Sequence, residues 1–169
     1  MRALSSLLLG LTVLAPAAAQ EGCQPQEAAV LAALNTLRAR PQACGERVWP
    51  AVAALRASPL LEQSARRYAV ELAARDRVEH ISATGTTLRT RLREAGYLMK
   101  SAGENLAGGP ETLDEALAQW LASPAHCENL MAPDFQEFGL ACAVGSGKLQ
   151  RYWVLHMAAP ARARSSPDR

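Results

Sequence analysis

Cysteine is the residue type that most directly suggests a chemistry in this 169-residue chain, and cysteines stand at positions 23, 44, 127 and 142. Cys127 directly follows His126, and an imidazole beside a thiol could activate that thiol as a nucleophile. In an exported protein, an even number of cysteines favours disulfides over thiol catalysis or zinc binding, because sulfurs outside the cytosol are oxidised. The choice among these chemistries therefore depends on whether the chain is exported.

The N-terminal segment predicts export. Arg2 precedes an apolar run at residues 7–14, and residues 17–19 are all alanine. A basic start, a short apolar centre and a small-residue ending are typical of a secretory signal peptide. The run is shorter than the roughly 20 residues of a membrane-spanning helix, which makes a retained anchor the weaker alternative. We therefore expect a secreted or periplasmic protein with a signal peptide at residues 1–19, one domain at 20–160 and a flexible tail at 161–169.

Export leads us to predict two disulfides. Four cysteines allow three pairings, and we favour the local one, Cys23–Cys44 with Cys127–Cys142. These bridges would close loops of about 15–22 residues, each worth roughly 3 kcal/mol through chain entropy. A thiol enzyme remains the weaker alternative, because a bridged sulfur cannot act as a nucleophile.

The overall composition is that of a globular protein with one core. Hydrophobic residues make up 49% and charged residues 20% of the chain, a mixture that excludes a mainly disordered protein. The net charge is only +2, with no long run of either sign. Nucleic-acid binding is therefore excluded, because it requires a basic stripe.

Apolar periodicity and helix-start signals predict five helices, which cover roughly residues 26–39, 58–78, 87–96, 112–121 and 123–131. Serine followed by proline opens the second and fifth helices, and threonine caps the third and fourth. Arg89, Arg91 and Arg93 are predicted to form the solvated side of the third helix. Residues 44–57 are predicted as a loop with a short extended piece, and the segment around Gly103 is predicted as a loop.

Strand patterns appear only near the C-terminus. Two strand-like runs at residues 138–144 and 149–158 flank a Gly-Ser-Gly-Lys turn, which indicates a hairpin. Helices followed by strands predict helices packed on a small antiparallel sheet.

Several short motifs follow one another in a recognisable order. They are His80, Gly103-Glu104-Asn105-Leu106-Ala107, the segment from Trp120 through Ser123-Pro124-Ala125-His126 to Asn129, Phe138-Gly139 and Tyr152-Trp153. In this order and after a signal peptide, they resemble the CAP superfamily (cysteine-rich secretory, antigen and pathogenesis-related proteins) in its bacterial SCP-like branch. The resemblance covers roughly residues 30–158. It implies an α/β fold, namely a three-layer α-β-α sandwich with a small, mainly antiparallel sheet and a cleft across one face.

The resemblance also implies a metal site. In this family two histidines and acidic residues line the cleft and can hold zinc or another divalent cation. By position, His80 and His126 match the histidines and Glu104 matches the motif glutamate, while the second acidic residue has no counterpart beside Trp120. His156 is not counted as a ligand. Two imidazoles and one carboxylate suit zinc and leave a fourth position for water.

Three functions agree with these residues. The favoured one is a binding module that acts as a monomer and is compatible with peripheral membrane contact. The resemblance implies that its ligand is a small apolar molecule, a lipid, a sterol or a cell-envelope component. The first alternative is a metal-assisted hydrolase of peptides or esters, with His80, Glu104 and His126 as catalytic candidates. The second is a structural envelope protein, in which Glu104 and the histidines form a buried hydrogen-bonded network and the cleft is vestigial.

Overall fold

The computed structural model describes residues 22–161. The predicted signal peptide at residues 1–19, and the predicted tail except Ala161, lie outside the described residues. The described helices are α1 (Glu27–Arg38), α2 (Pro59–Arg75), α3 (Leu88–Glu94), α4 (Leu113–Ala122) and α5 (Pro124–Leu130). The strands are β1 (Gln42–Cys44), β2 (Arg47–Trp49), β3 (Arg56–Ala57), β4 (Met99–Gly108), β5 (Glu137–Val144) and β6 (Arg151–Pro160). None of the helices in this part of the chain has the length and apolar character needed to span a bilayer.

Local sequence signals set the starts of the helices, and all five predicted helices are present. The hydroxyl of Thr87 accepts a hydrogen bond from the backbone of Thr90 at the start of α3, and Thr112 does the same for Glu115 at α4. Helices α2 and α5 each begin with a proline in the first turn. The serines before them hold the cap position, but their side chains make no capping bond, so proline and packing define these two starts.

The main sheet has four strands in the order β3-β5-β6-β4. Strand β6 pairs antiparallel with both β5 and β4, whereas the short β3 pairs parallel with β5. Strands β1 and β2 form a separate two-stranded hairpin. The predicted C-terminal hairpin is therefore confirmed, and it supplies the two central strands of the sheet.

Strand β4 corrects the prediction of a loop around Gly103. This segment pairs with β6 over nearly its whole length, from Met99 opposite Pro160 to Gly108 opposite Tyr152. Its sequence carries little local preference for a strand, so the extended conformation comes from hydrogen bonding to a distant partner. Residues 44–57, predicted as a loop with a short extended piece, contain the short strands β2 and β3 and the end of β1.

Alternation along β6 creates the three layers of the α-β-α sandwich. Trp153, Leu155 and Met157 pack in a core cluster with α1, α4 and α5. Tyr152 and Val154 point to the other face and pack with α2. His156 has the same parity as Tyr152 and Val154, so its side chain lies on the α2 face of the sheet.

Gly139 allows α2 to lie directly against the sheet. It stands on β5 opposite His156, and a Cβ atom placed on it would lie 2.0 Å from the backbone nitrogen of Glu62. Any side chain here would collide with the helix backbone. The Phe138-Gly139 motif therefore reflects a close approach between α2 and β5.

The disulfides join Cys23 to Cys142 and Cys44 to Cys127, with Cα–Cα distances of 5.5 and 5.4 Å. The expected local pairing is wrong. The side chain of Gln24 forms hydrogen bonds with the carbonyl oxygen of Leu140 and the backbone nitrogen of Cys142, and these contacts fix Cys23 beside β5. Tertiary packing thus overrides the entropic advantage of short loops. Because all four sulfurs are bridged, Cys127 is not available as a nucleophile.

Candidate functional site

Glu104 lies at the centre of a buried polar cluster beneath α2 and α3, and only 6% of its surface is exposed. Its Oε1 accepts a hydrogen bond from Nδ1 of His80 at 2.8 Å. Its Oε2 accepts from Nε2 of His156 at 2.8 Å and from Nη2 of Arg91 at 2.6 Å. An ionised carboxylate only accepts hydrogen bonds, so both ring nitrogens that face it carry a proton.

Two opposing effects set the charge of Glu104. Burial raises the pKa of its carboxyl group, because the ionised form is poorly solvated there. The hydrogen bonds from His156 and His80 and the charge of Arg91 outweigh burial and lower the pKa from 4.5 to about 2. Glu104 is therefore a carboxylate throughout the physiological pH range.

Arg91 is placed differently from its neighbours on α3. Arg89 and Arg93 are exposed, as predicted, but Arg91 is only 8% exposed, which corrects its assignment to the solvated side. Its guanidinium lies over the ring of Tyr68, with the carbon 3.5 Å from the ring centroid. Arg91 therefore supplies a positive charge and a flat contact surface inside the α2–α3 interface, where it pairs with Glu104.

His80 lies between α2 and α3, with 58% of its side chain exposed. Arg91 holds the backbone of this segment by donating to the carbonyl of His80 at 3.2 Å. The hydrogen bond to Glu104 raises the pKa of His80, although partial burial opposes this change. Because Nδ1 is engaged with Glu104, the neutral ring has its lone pair on Nε2, available to a ligand or a proton.

His126 lies in α5 on the other side of β4. Its backbone carbonyl accepts a hydrogen bond from Asn105 at 2.9 Å, and Asn129 donates to the side chain of Asn105 at 3.0 Å. Burial lowers the pKa of His126, and the charge of His80 lowers it further, so the two imidazoles interact electrostatically. Within residues 22–161 the ring of His126 forms no hydrogen bond with Glu104. Asn105 therefore links His126 to the motif strand through the backbone.

His156, which the sequence analysis does not count as a ligand, makes a contact with Glu104 that was not predicted. It lies fully buried, directly opposite Glu104 in the pairing of β4 with β6. Burial lowers its pKa despite the hydrogen bond to Glu104, so the ring is neutral. A polar residue in an apolar strand was the available signal, but only the strand register reveals its partner.

The arrangement does not form a ready three-ligand metal site. Both oxygens of Glu104 are engaged by imidazoles and a guanidinium, and the charge of Arg91 opposes a second cation beside them. Within residues 22–161 no group of three or more His, Cys, Asp or Glu side chains is placed to hold a metal ion. Glu104 instead matches a carboxylate that orients a histidine through its second nitrogen. The predicted set of His80, Glu104 and His126 stays a prediction.

Known proteins share this fold and its sequence pattern. The chain is 30% identical over 80 residues to the uncharacterized protein YkwD of Bacillus subtilis (strain 168), and the match covers 47% of this chain and 31% of that protein. The chain thus spans about a third of the length of this curated relative.

Solved structures give the same result for the fold. An outer surface protein from Borrelia burgdorferi superimposes with a TM-score of 0.68 at 21% identity, covering 83% of this chain and 99% of that one. An extracellular protein containing a SCP domain from Bacillus anthracis str. Ames gives a TM-score of 0.57 at 23% identity, covering 64% and 34%. The sequence pattern of the cysteine-rich secretory protein family, CAP, matches residues 31–157. The chain therefore belongs to the CAP family of cysteine-rich secretory proteins.

Proposed function

We propose that this protein is an exported binding module that holds the acyl chain of an acidic lipid in a groove between α1 and α4. The groove carries the proposal: it has a volume of about 620 Å³, within the usual range for small-molecule sites. Its apolar lining consists of Ala32, Ala33, Leu37, Leu117, Ala118 and Leu121. Alanines on both helices leave room for a narrow chain to lie between them.

Charged residues at the groove favour an acidic head group at one end. Arg40 and Gln42 line the groove beyond the C-terminus of α1, and Arg40 forms no ion pair with the described residues. Its guanidinium is available to a carboxylate or phosphate. Asp114 on α4 also lines the groove and would repel the same head group. Arg40 therefore favours binding of an acidic head group, and Asp114 opposes it.

Export rests on separate observations. Two disulfides link the described residues, and such bridges persist in oxidising compartments. The similar solved structures include proteins described as an outer surface protein and as an extracellular protein. Together with the N-terminal pattern, these features support a secreted or periplasmic protein.

Calorimetric titration with laurate tests the lipid proposal. Ala118→Trp places a large ring in the groove and should abolish binding, whereas the matched Ala74→Trp on the exposed side of α2 should not. Arg40→Gln should weaken binding about tenfold and Asp114→Asn should strengthen it, because each changes one charge near the carboxylate. Laurate binding that Ala118→Trp leaves unchanged would overturn the proposal.

We also propose that the imidazoles of His80 and His126, which do not line this groove, hold a divalent cation. The His80 side chain is 58% exposed and uses Nδ1 for Glu104, which leaves Nε2 as the nitrogen for a ligand and supports this role. Zinc titration should give a dissociation constant in the micromolar range or better, and His80→Ala and His126→Ala should each remove it. Glu104→Gln should weaken zinc about 10–100-fold. Identical zinc titrations for the three variants and the unchanged protein would reject the site.

A metal-assisted hydrolase remains the second candidate, favoured by the Glu104–His80 pair. A carboxylate that orients an imidazole with a free Nε2 is the arrangement of a general base. Chelator-sensitive turnover of a peptide or ester panel, lost in Glu104→Gln, would identify this activity. A structural envelope protein would show neither turnover nor bound lipid, and Glu104→Gln would mainly lower its melting temperature.

A further inference from the structure

A cavity of about 170 Å³ lies where α2 begins, beside the edge of β5 that faces β3. Its lining comes mainly from the starts of two helices and from one strand: Glu27 and Val30 of α1, Ser58 and Glu62 at the start of α2, and residues 138–140 of β5. His80, Glu104 and His126 do not line it, and it shares no lining residue with the groove between α1 and α4. The cavity is therefore distinct from both sites described above.

The hydroxyl of Ser58 is an unused donor at this cavity. Ser58 holds the cap position of α2 and is only 8% exposed, but its side chain makes no capping bond and no other hydrogen bond with the described residues. Unlike the Oγ of Ser64, the Oγ of Ser58 is not fully buried, so its accessible surface opens into the cavity that the residue lines. Buried polar groups normally have a partner, so this hydroxyl calls for an acceptor inside the cavity.

The backbone of β5 supplies a second unused donor. The short β3 pairs with only the first two residues of β5, and the last bond of this ladder runs from the backbone nitrogen of Ser58 to the carbonyl of Phe138 at 2.8 Å. The next donor on the same edge is the N–H of Leu140, and no described residue accepts from it. The carbonyl of Ser58, which would continue the ladder, accepts from the backbone nitrogen of Glu62 instead, because α2 begins there. The side chain of Gln24 bonds to this edge again only from the carbonyl of Leu140 onward.

The two helix starts favour an acceptor that carries a negative charge. The free N–H groups in the first turn of a helix bear a partial positive charge, and the first turns of α1 and α2 both line this cavity. Glu62 is paired with Arg66, so its own charge is compensated. Glu27 forms no ion pair with the described residues and opposes an anion. The side chains of Val30 and Phe138 supply an apolar wall.

We propose that this cavity binds a short-chain carboxylate of up to about six non-hydrogen atoms, such as isobutyrate, since each water-sized atom group occupies about 30 Å³. The carboxylate accepts from Ser58 Oγ and from the N–H of Leu140, and the alkyl group lies against Val30 and Phe138. A protonated amine cannot accept from either donor. A neutral amide can accept from both, but it gains less from the two helix starts.

Titration with isobutyrate, followed by amide NMR spectroscopy of the nitrogen-labelled protein, tests this proposal. The amide signal of Leu140 should shift saturably, and this signal reports the cavity rather than the groove between α1 and α4. Isobutyramide has the same shape without the charge and should bind about threefold more weakly or worse. No saturable shift of the Leu140 signal, or isobutyramide binding as tight as isobutyrate binding, would overturn the proposal.

Ser58→Ala should weaken isobutyrate binding about tenfold, the loss expected for one hydrogen bond to a charged group. Its melting temperature should stay that of the unchanged protein, because the hydroxyl has no partner and the backbone bond to β5 remains. Ser123→Ala is the matched control, because Ser123 holds the cap position of α5, makes no capping bond either and does not line the cavity. Equal isobutyrate affinity in the two serine variants would overturn the proposal.

Glu27→Gln tests the charge of the ligand without touching either donor. The variant should strengthen isobutyrate binding about threefold, because it removes a like charge at the cavity, and it should leave isobutyramide binding unchanged. Isobutyrate affinity that Glu27→Gln leaves unchanged or lowers would overturn the proposal as well.

Discussion

Glu104 and His156 lie directly opposite one another on β4 and β6, joined by a hydrogen bond of 2.8 Å on the α2 face of the sheet. The contact places an ionised carboxylate inside the protein between two imidazoles and a guanidinium. The burial of an ionised group is tolerated only when its charge is compensated in this way. The cluster therefore links the stability of the fold to the protonation of the side chains in the candidate site.

Acid should destabilise the protein through Glu104. The pKa of Glu104 is about 2 in the folded protein and 4.5 in the unfolded chain. Its contribution to the free energy of unfolding is therefore present above pH 4.5 and is lost as the pH falls toward 2. The contribution is roughly 3 kcal/mol at neutral pH. Urea unfolding between these pH values should show the loss. Glu104→Gln should flatten the pH dependence of the free energy of unfolding, whereas the exposed Glu128→Gln should not. The same pH dependence in both variants and in the unchanged protein would contradict this prediction.

The histidines should titrate in a fixed order. The hydrogen bond to Glu104 raises the pKa of His80 above 6.5, whereas burial and the charge of His80 lower that of His126 below 6.5. The His80 pair therefore stabilises the fold below pH 6.5, and this contribution is lost as pH rises through the raised pKa. Proton NMR can follow both rings, and Glu104→Gln should lower the pKa of His80. A reversed order would contradict the structure.

Gly139→Ala should destabilise the protein by about 3 kcal/mol or more. The new methyl group would meet the backbone of Leu61 and Glu62, at 2.2 and 2.0 Å, and helix backbone cannot move aside as a flexible side chain can. Chemical denaturation measures the change. Gly22→Ala is the control, because nothing lies within 4 Å of its Cβ position. Equal stability of the two variants would show that α2 lies farther from β5 than this structure places it.

The disulfide pairing can be checked directly. Non-reducing peptide mapping should recover fragments that link Cys23 to Cys142 and Cys44 to Cys127. Removing the second bridge with the double serine variant should lower the free energy of unfolding by about 4 kcal/mol, because the bridge closes a loop of 83 residues. Fragments that link Cys23 to Cys44 would contradict the structure.

Arg38 is a buried cation held by backbone carbonyls. Its guanidinium donates to Ala53 at 2.9 Å and to Leu130 at 2.6 Å, among other carbonyls, and burial lowers its pKa to about 10. Arg38→Met should cost about 3 kcal/mol in thermal or chemical unfolding, because these carbonyls lose their donor. The exposed Arg40→Met should have little effect. A stability equal to that of the unchanged protein would show that water replaces the guanidinium.

The sequence predicts the elements whose signals are local. Thr87 and Thr112 mark helix starts because their hydroxyls bond to backbone only three residues away. Strand β4 was missed because Gly103, Glu104 and Asn105 have no strand preference of their own and become extended by pairing with β6.

The candidate site was predictable only in part, for a similar reason. Of the residues that the resemblance indicates, His80 and Glu104 are in direct contact, whereas His126 is connected through Asn105. The contacts of Arg91 and His156 depend on helix docking and strand register, which no local pattern reports. The predicted disulfide pairing was wrong for the same reason. Loop entropy favours cysteines that are close in sequence, but packing decides which sulfurs meet.

The connectivity of the bridges imposes an order on oxidation. Cys23 and Cys44 are synthesised first, and their partners follow 119 and 83 residues later. Until then the early thiols can react within the chain only with each other, and that product must be opened before either native bridge closes. Rapid oxidation during translocation should therefore trap misbridged chains, and an isomerase or delayed oxidant should rescue the yield.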